Sequence, residues 1–173
     1  MKHVEDFEPL LGPRLRNTGV AELQSVAQRW GVVFPVDLVE VLAAYGDSYI
    51  GGHISLFGPA TLEKMSTYRE GHRYPPTLAG DVPRLVFPEP GGLLEWATTS
   101  TGDALCLQPS AQGEWTVSTY DQLVFEWTDY DLCFSEWLYA ALEADPGFDI
   151  FPPLGETHPV SVEPLNVEKF LRW

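Results

Sequence analysis

The sequence predicts one α+β domain, a mainly antiparallel, twisted sheet of about five or six strands packed with three helices. Three observations carry this. Apolar residues recur at helical spacing in three separate stretches, 19–30, 35–45 and 132–144. The middle third is rich in short alternating segments joined by brief turns, which favours antiparallel neighbours. A chain of 173 residues with 45% hydrophobic and 13% aromatic content is the right size and composition for one well-buried core.

The elements follow in order. Residues 1–17 read as a loose lead-in, because Pro9, Gly12 and Pro13 interrupt any long helix. Thr18 is the candidate N-cap of the first helix, whose apolar face is Val20, Leu23, Ala27 and Trp30 and whose stop is Gly31. Pro35 fits the first turn of the second helix, where its missing N–H is not needed. Leu38, Val41, Leu42 and Tyr45 then share one face, and Gly46 is placed to end the helix in the left-handed conformation. Residues 47–52 read as a turn leading into a strand at 53–57, with Ile54 and Leu56 on one side.

Pro59 to Met65 reads as a turn or short helix, and residues 68–81 as a loop carrying the one locally basic patch, Arg69, His72 and Arg73. Short strands are expected at 84–87, 93–99, 103–108 and 114–120, and another at 124–127 unless that stretch is the approach to the last helix. In the segment 103–108, Leu105 and Leu107 fall on one face and Ala104 and Cys106 on the other. Apolar residues on both faces predict a central strand covered from both sides. The last helix is expected to start near Asp131 and to bury Phe134, Trp137, Leu138, Ala141 and Leu142. Pro146-Gly147 ends it, and the prolines at 152 and 153 forbid a helix interior beyond. Large apolar residues near the end of the tail predict that it docks on the domain or on a partner.

Three of these stretches share an order and spacing that resemble the SMI1/KNR4 family, also called the SUKH superfamily. The first, residues 30–58, has a Pro-started helix, a Tyr45-Gly46 stop and a Gly51-Gly52 turn into Ile54-Ser55-Leu56-Phe57. The second, 98–107, has Gly102-Asp103 entering a strand, and the third, 127–142, contains Phe134, Trp137 and Leu138. The resemblance covers roughly residues 18–145, leaving 1–17 as lead-in and 146–173 as a Pro-containing extension that maps onto no family motif. For bacterial members it implies an immunity protein of a polymorphic toxin system, which binds and neutralises a partner toxin, often a nuclease. Fungal relatives imply a signalling or scaffold module, and the family implies no catalysis of its own.

Charge sharpens the expectation about partners. Residues 1–86 hold eight Lys and Arg against ten Asp and Glu, whereas residues 87–173 hold two against fifteen. A surface so poor in cations does not suit direct binding to a nucleic-acid backbone. It would steer a basic protein toward the second half of the chain; the plainer alternative is that acidity only keeps the protein soluble. No run is long and apolar enough for a membrane span, and the first residues lack the apolar stretch of a secretory signal, so a cytoplasmic location is expected.

No stretch announces catalysis. The four histidines, His3, His53, His72 and His158, fall in no metal-ligand spacing, and His53 at a strand entrance reads as structural or exposed. Cys106 and Cys133 sit among apolar residues as buried free thiols. Gly51-Gly52 and Gly91-Gly92 read as turns rather than phosphate cradles. Neither a metal nor another cofactor is expected.

The candidate partner-binding set is Asp121, Glu126, Trp127, Asp129, Tyr130 and Asp131, in which acids would steer a basic partner and aromatics anchor it. Two other readings of the acidic cluster Glu126, Asp129, Asp131 and Glu136 stay open. They are helix-start carboxylates favoured by the helix dipole, or an acid and base pair, which would need burial to raise one pKa.

Overall fold

The computed structural model describes residues 1–16, 19–68, 84–87, 89–110, 113–143 and 159–170, with residues 66–68 described as backbone only. Among them, six helices and seven strands follow in the order α1 (Val4–Leu11), α2 (Val20–Trp30), α3 (Val36–Tyr45), β1 (Ser48–Ile50), β2 (Ile54–Leu56), α4 (Pro59–Tyr68), β3 (Leu94–Thr99), β4 (Ala104–Pro109), β5 (Trp115–Asp121), β6 (Glu126–Asp129), α5 (Phe134–Leu142), β7 (Val162–Pro164) and α6 (Val167–Phe170). One sheet holds all seven strands in the order β6-β5-β4-β3-β2-β1-β7, and every pairing is antiparallel.

The α+β class and the antiparallel sheet are as expected; the counts exceed the expected five or six strands and three helices. The three periodic stretches form α2, α3 and α5. The lead-in carries α1, whose Phe7 is fully buried against the main core. The stretch 47–52 contains β1 as well as a turn: Gly51 and Gly52 both take positive φ and link β1 to β2. Residues 84–87 contribute only an isolated bridge, Val86 to Leu93. The tail returns to add β7 beside β1. Thr18, the basic loop residues Arg69, His72 and Arg73, and the prolines at 152 and 153 lie outside the described residues.

The helices share their core with one face of the sheet. Leu94, Trp96, Leu105, Leu107 and Val117 meet Leu38, Leu42, Phe134, Trp137 and Leu138 there. A β-bulge between Glu95 and Ala97 shifts the register of β3 against β4. Trp96, at that bulge, is fully buried and stands edge-on to Phe134 at 4.8 Å and to Trp137 at 5.7 Å. The opposite face carries a smaller cluster of Leu93, Ala104, Cys106 and Tyr120, with Trp127 packed against it. Apolar alternation on both sides of β4 therefore marks a central strand, as the sequence predicts.

Two expected helix ends are built differently. Gly46 has φ of −64°, not a left-handed value. Its lack of a side chain matters because a Cβ there would lie 2.4 Å from the Leu42 carbonyl oxygen and 2.6 Å from Gly58 Cα. The left-handed residue is its neighbour Asp47, at φ +53°. Asp131 does not cap α5: the N-cap is Cys133, half-buried rather than buried, and it makes no side-chain cap. The buried Asp37 of α3 accepts a hydrogen bond from Ser135 N–H at 2.9 Å, across 98 residues of sequence, and so serves the first turn of α5 from outside.

Candidate functional site

The candidate residues converge on the β5–β6 hairpin at one edge of the sheet. The register pairs Ser118 with Asp129, Thr119 with Thr128, Tyr120 with Trp127 and Asp121 with Glu126. The strand expected at 124–127 is displaced toward the C-terminus, because residues 122–125 form the hairpin turn. Asp121 makes that turn: its Oδ1 accepts the N–H of Leu123 at 2.7 Å and of Val124 at 3.1 Å. The apolar run Leu123-Val124-Phe125 resembles a strand in composition, yet the aspartate two residues before it directs the backbone into a turn.

The six candidates divide by environment. Glu126 and Asp131 are exposed and form no ion pair among the described residues. Asp121 is committed to the turn. Tyr130 donates its N–H to the Val117 carbonyl at 2.9 Å, and its ring meets the buried Trp137 at 5.8 Å, which draws it toward the main core. Trp127 is half-buried against Tyr120 at 5.0 Å.

Asp129 is held by a residue outside the candidate set. Arg84 donates to both of its carboxylate oxygens, at 2.8 and 3.0 Å, and also reaches Ser118 Oγ at 2.9 Å and Gln108 Oε1 at 3.1 Å. The same guanidinium lies over the Trp127 ring, 4.4 Å from its centroid. Sequence inspection misses Arg84 because its partner is 45 residues away. The Arg84 hydrogen bonds hold the Asp129 carboxyl below the usual carboxylate range, aided by the Ser118 hydroxyl and opposed by partial burial.

A lowered folded-state pKa means that Asp129 stabilises the fold above the ordinary carboxylate value of about 3.9 and loses this contribution as pH falls through its folded value. Arg84→Ala is expected to cost about 1 kcal/mol at neutral pH, since Asp129 is half exposed and its ion pair is screened. The difference from wild type should shrink in acid as Asp129 protonates. Urea titrations at neutral and acidic pH check this; a pH-independent difference would assign the loss to packing on Trp127 instead.

Beside the hairpin, Asp103 fixes the β3–β4 turn. Its carboxylate accepts from the hydroxyls of Thr99 and Thr101, both at 2.6 Å, and from Gln122 N–H at 3.0 Å. Burial raises its pKa, but these hydrogen bonds and nearby His53 outweigh that and hold it below the ordinary value. His53 is buried and its Nδ1 meets Ser100 Oγ at 2.7 Å. A serine, a histidine and an aspartate thus lie near one another, but the aspartate's acceptors are engaged by the hairpin itself, which is a scaffolding arrangement. Among the described residues, no group of three or more His, Cys, Asp or Glu side chains could hold a metal ion, and no helix is long and apolar enough to cross a membrane.

Sequence inspection also misses the three most prominent side chains of the hairpin. Leu123, Val124 and Phe125 are 73%, 61% and 55% exposed. A second exposed apolar surface lies far along the chain, where Val20, Val33 and Val36 line a groove of about 720 Å³ between α2 and α3. No family model, curated protein or solved structure matches this chain.

Proposed function

We propose that this chain is a non-catalytic binding protein of the SMI1/KNR4 type, an immunity protein that neutralises a basic, nuclease-type toxin of a polymorphic toxin system. The observation that carries the reading is the charge of the β5–β6 edge. From residue 85 to residue 143 the sequence contains no Lys or Arg. Among the described residues, the cation that reaches the hairpin from its flank is Arg84, and it is engaged by Asp129. Glu126, next to the exposed apolar tip, and Asp131, beyond the other end of β6, are exposed carboxylates with no ion pair among the described residues. Such a surface attracts a protein that is itself built to bind phosphates, and repels nucleic acid. The motif order in residues 18–145 supports the same reading. Inhibition would follow from occupying the toxin's substrate surface.

The test is co-purification with toxin-like products of the flanking genes at low and high salt. A one-to-one complex that abolishes toxin activity is expected, with association slowed by salt. Glu126→Gln combined with Asp131→Asn should lower the association rate by roughly tenfold and leave dissociation nearly unchanged. Unchanged association would place the interface elsewhere, and the absence of any complex would overturn the immunity reading. The second reading, an interaction module without a toxin partner, is favoured by the α2–α3 groove. It predicts binding that is insensitive to these two substitutions and is lost with Val33→Ser and Val36→Ser.

A further inference from the structure

We propose that the β5–β6 tip, Leu123-Val124-Phe125, is a preorganised apolar plug that enters a cleft rimmed by cations on a basic protein partner. This rests on the reading of the chain as a binding protein and names the part of it that supplies affinity.

The tip is poorly explained by folding alone. Hairpin turns favour Gly, Asn and Asp, because those residues tolerate positive φ and need no burial. Here three consecutive large apolar residues occupy the turn, all exposed, and Phe125 adopts φ +61°, a conformation unfavourable for an aromatic side chain. Neither the exposure nor the local strain stabilises the isolated protein. Both are accounted for if the side chains are buried on association.

The turn is also held in place. Asp121 fixes the Leu123 and Val124 amides, and Asp103 fixes the Gln122 amide while being anchored itself by Thr99 and Thr101. Little ordering entropy then remains to be lost when the tip is inserted, which favours slow dissociation. Charge selects the occupant. Asp121 and Glu126, paired in register, flank the tip on its two sides, and Arg84, which reaches the hairpin, is engaged by Asp129 at the far end of β6. A cleft with cations at its rim is complementary. A second copy of this chain would bring like charge against like, and an anionic lipid surface would repel the same rim.

The test places a photo-cross-linking residue, p-benzoylphenylalanine, at Val124 or at Val33 in the full chain, co-expressed with the products of its flanking genes. It is paired with Leu123→Ser combined with Phe125→Gly. Glycine suits the positive φ, so this variant should melt at or above the wild-type temperature. A cross-link from position 124 to a basic product, with at least about hundredfold weaker binding of that product by the double variant at unchanged association rate, is the expected result. A cross-link from position 33 alone, or binding of the variant within threefold of wild type, overturns the plug and leaves the binding reading standing. A cross-link only to another copy of this chain, or none from either position, overturns both.

Discussion

Asp47→Ala should destabilise the protein by about 4 kcal/mol, the largest loss expected from any single carboxylate here. The Asp47 side chain is fully buried at the turn between α3 and β1. Its Oδ1 accepts from Gly58 N–H at 3.0 Å, Thr61 N–H at 2.9 Å and the Thr61 hydroxyl at 2.6 Å. Its Oδ2 accepts from Ala60 N–H at 3.1 Å and from Arg16 at 3.0 Å. One carboxylate thus satisfies the orphan amides at the start of α4 and joins that helix to the end of α3. Removing it strands several buried donors at once, each costing about 1–3 kcal/mol when unpaired, and less than additively because they share one site.

The positive φ of Asp47 adds a further cost for alanine of about 1 kcal/mol. Asp47→Gly removes that backbone cost but not the lost acceptors, so it should recover only this smaller part. Asp47→Asn keeps one acceptor oxygen and should lose about 2 kcal/mol. Urea denaturation followed by circular dichroism measures all three. A loss below about 1 kcal/mol for alanine would show that water replaces the carboxylate without penalty.

Trp96→Ala is expected to cost about 3–5 kcal/mol and to lower the melting temperature by roughly 8–15 °C. Trp96 is among the largest side chains that are fully buried, and it joins the two layers by meeting Phe134 and Trp137 of α5 edge-on. Its site cannot collapse easily, because the sheet and α5 are each fixed by their own hydrogen bonds. Trp96→Phe retains an aromatic edge contact and should lose about half as much. Equal losses for alanine and phenylalanine would indicate that the bulge, rather than ring burial, depends on the indole.

Much of this architecture is legible in the residues. Leu38, Val41, Leu42 and Tyr45 mark the buried face of α3, and Phe134, Trp137, Leu138, Ala141 and Leu142 that of α5, because burial of a helix leaves a 3.6-residue period. The two apolar faces of β4 show that it is central, since alternation records which faces are covered. The acidic bias of the second half is likewise readable, as charge needs no geometry to count. The candidate site is only partly legible. Asp121, Glu126 and Trp127 do share the hairpin, but proximity in sequence does not reveal that Asp129 is neutralised or that Tyr130 turns inward. The apolar tip is hidden for a related reason: composition favours a strand, while one side chain, Asp121, decides for a turn.

The periodic elements, the antiparallel character of the sheet and the distribution of charge follow from local spacing and composition, and are written in the residues alone. The caps, the edges and the pairing of charges arise instead from contacts between distant residues. Asp47 and Asp37 serve the first turns of α4 and α5 from other elements, and Arg84 crosses to Asp129 and Trp127. The tail returns to extend the sheet as β7, so that β1 lies inside it. These features depend on groups far apart in the chain meeting at hydrogen-bond distance, and a hydrogen bond carries no periodic trace in the sequence of either partner.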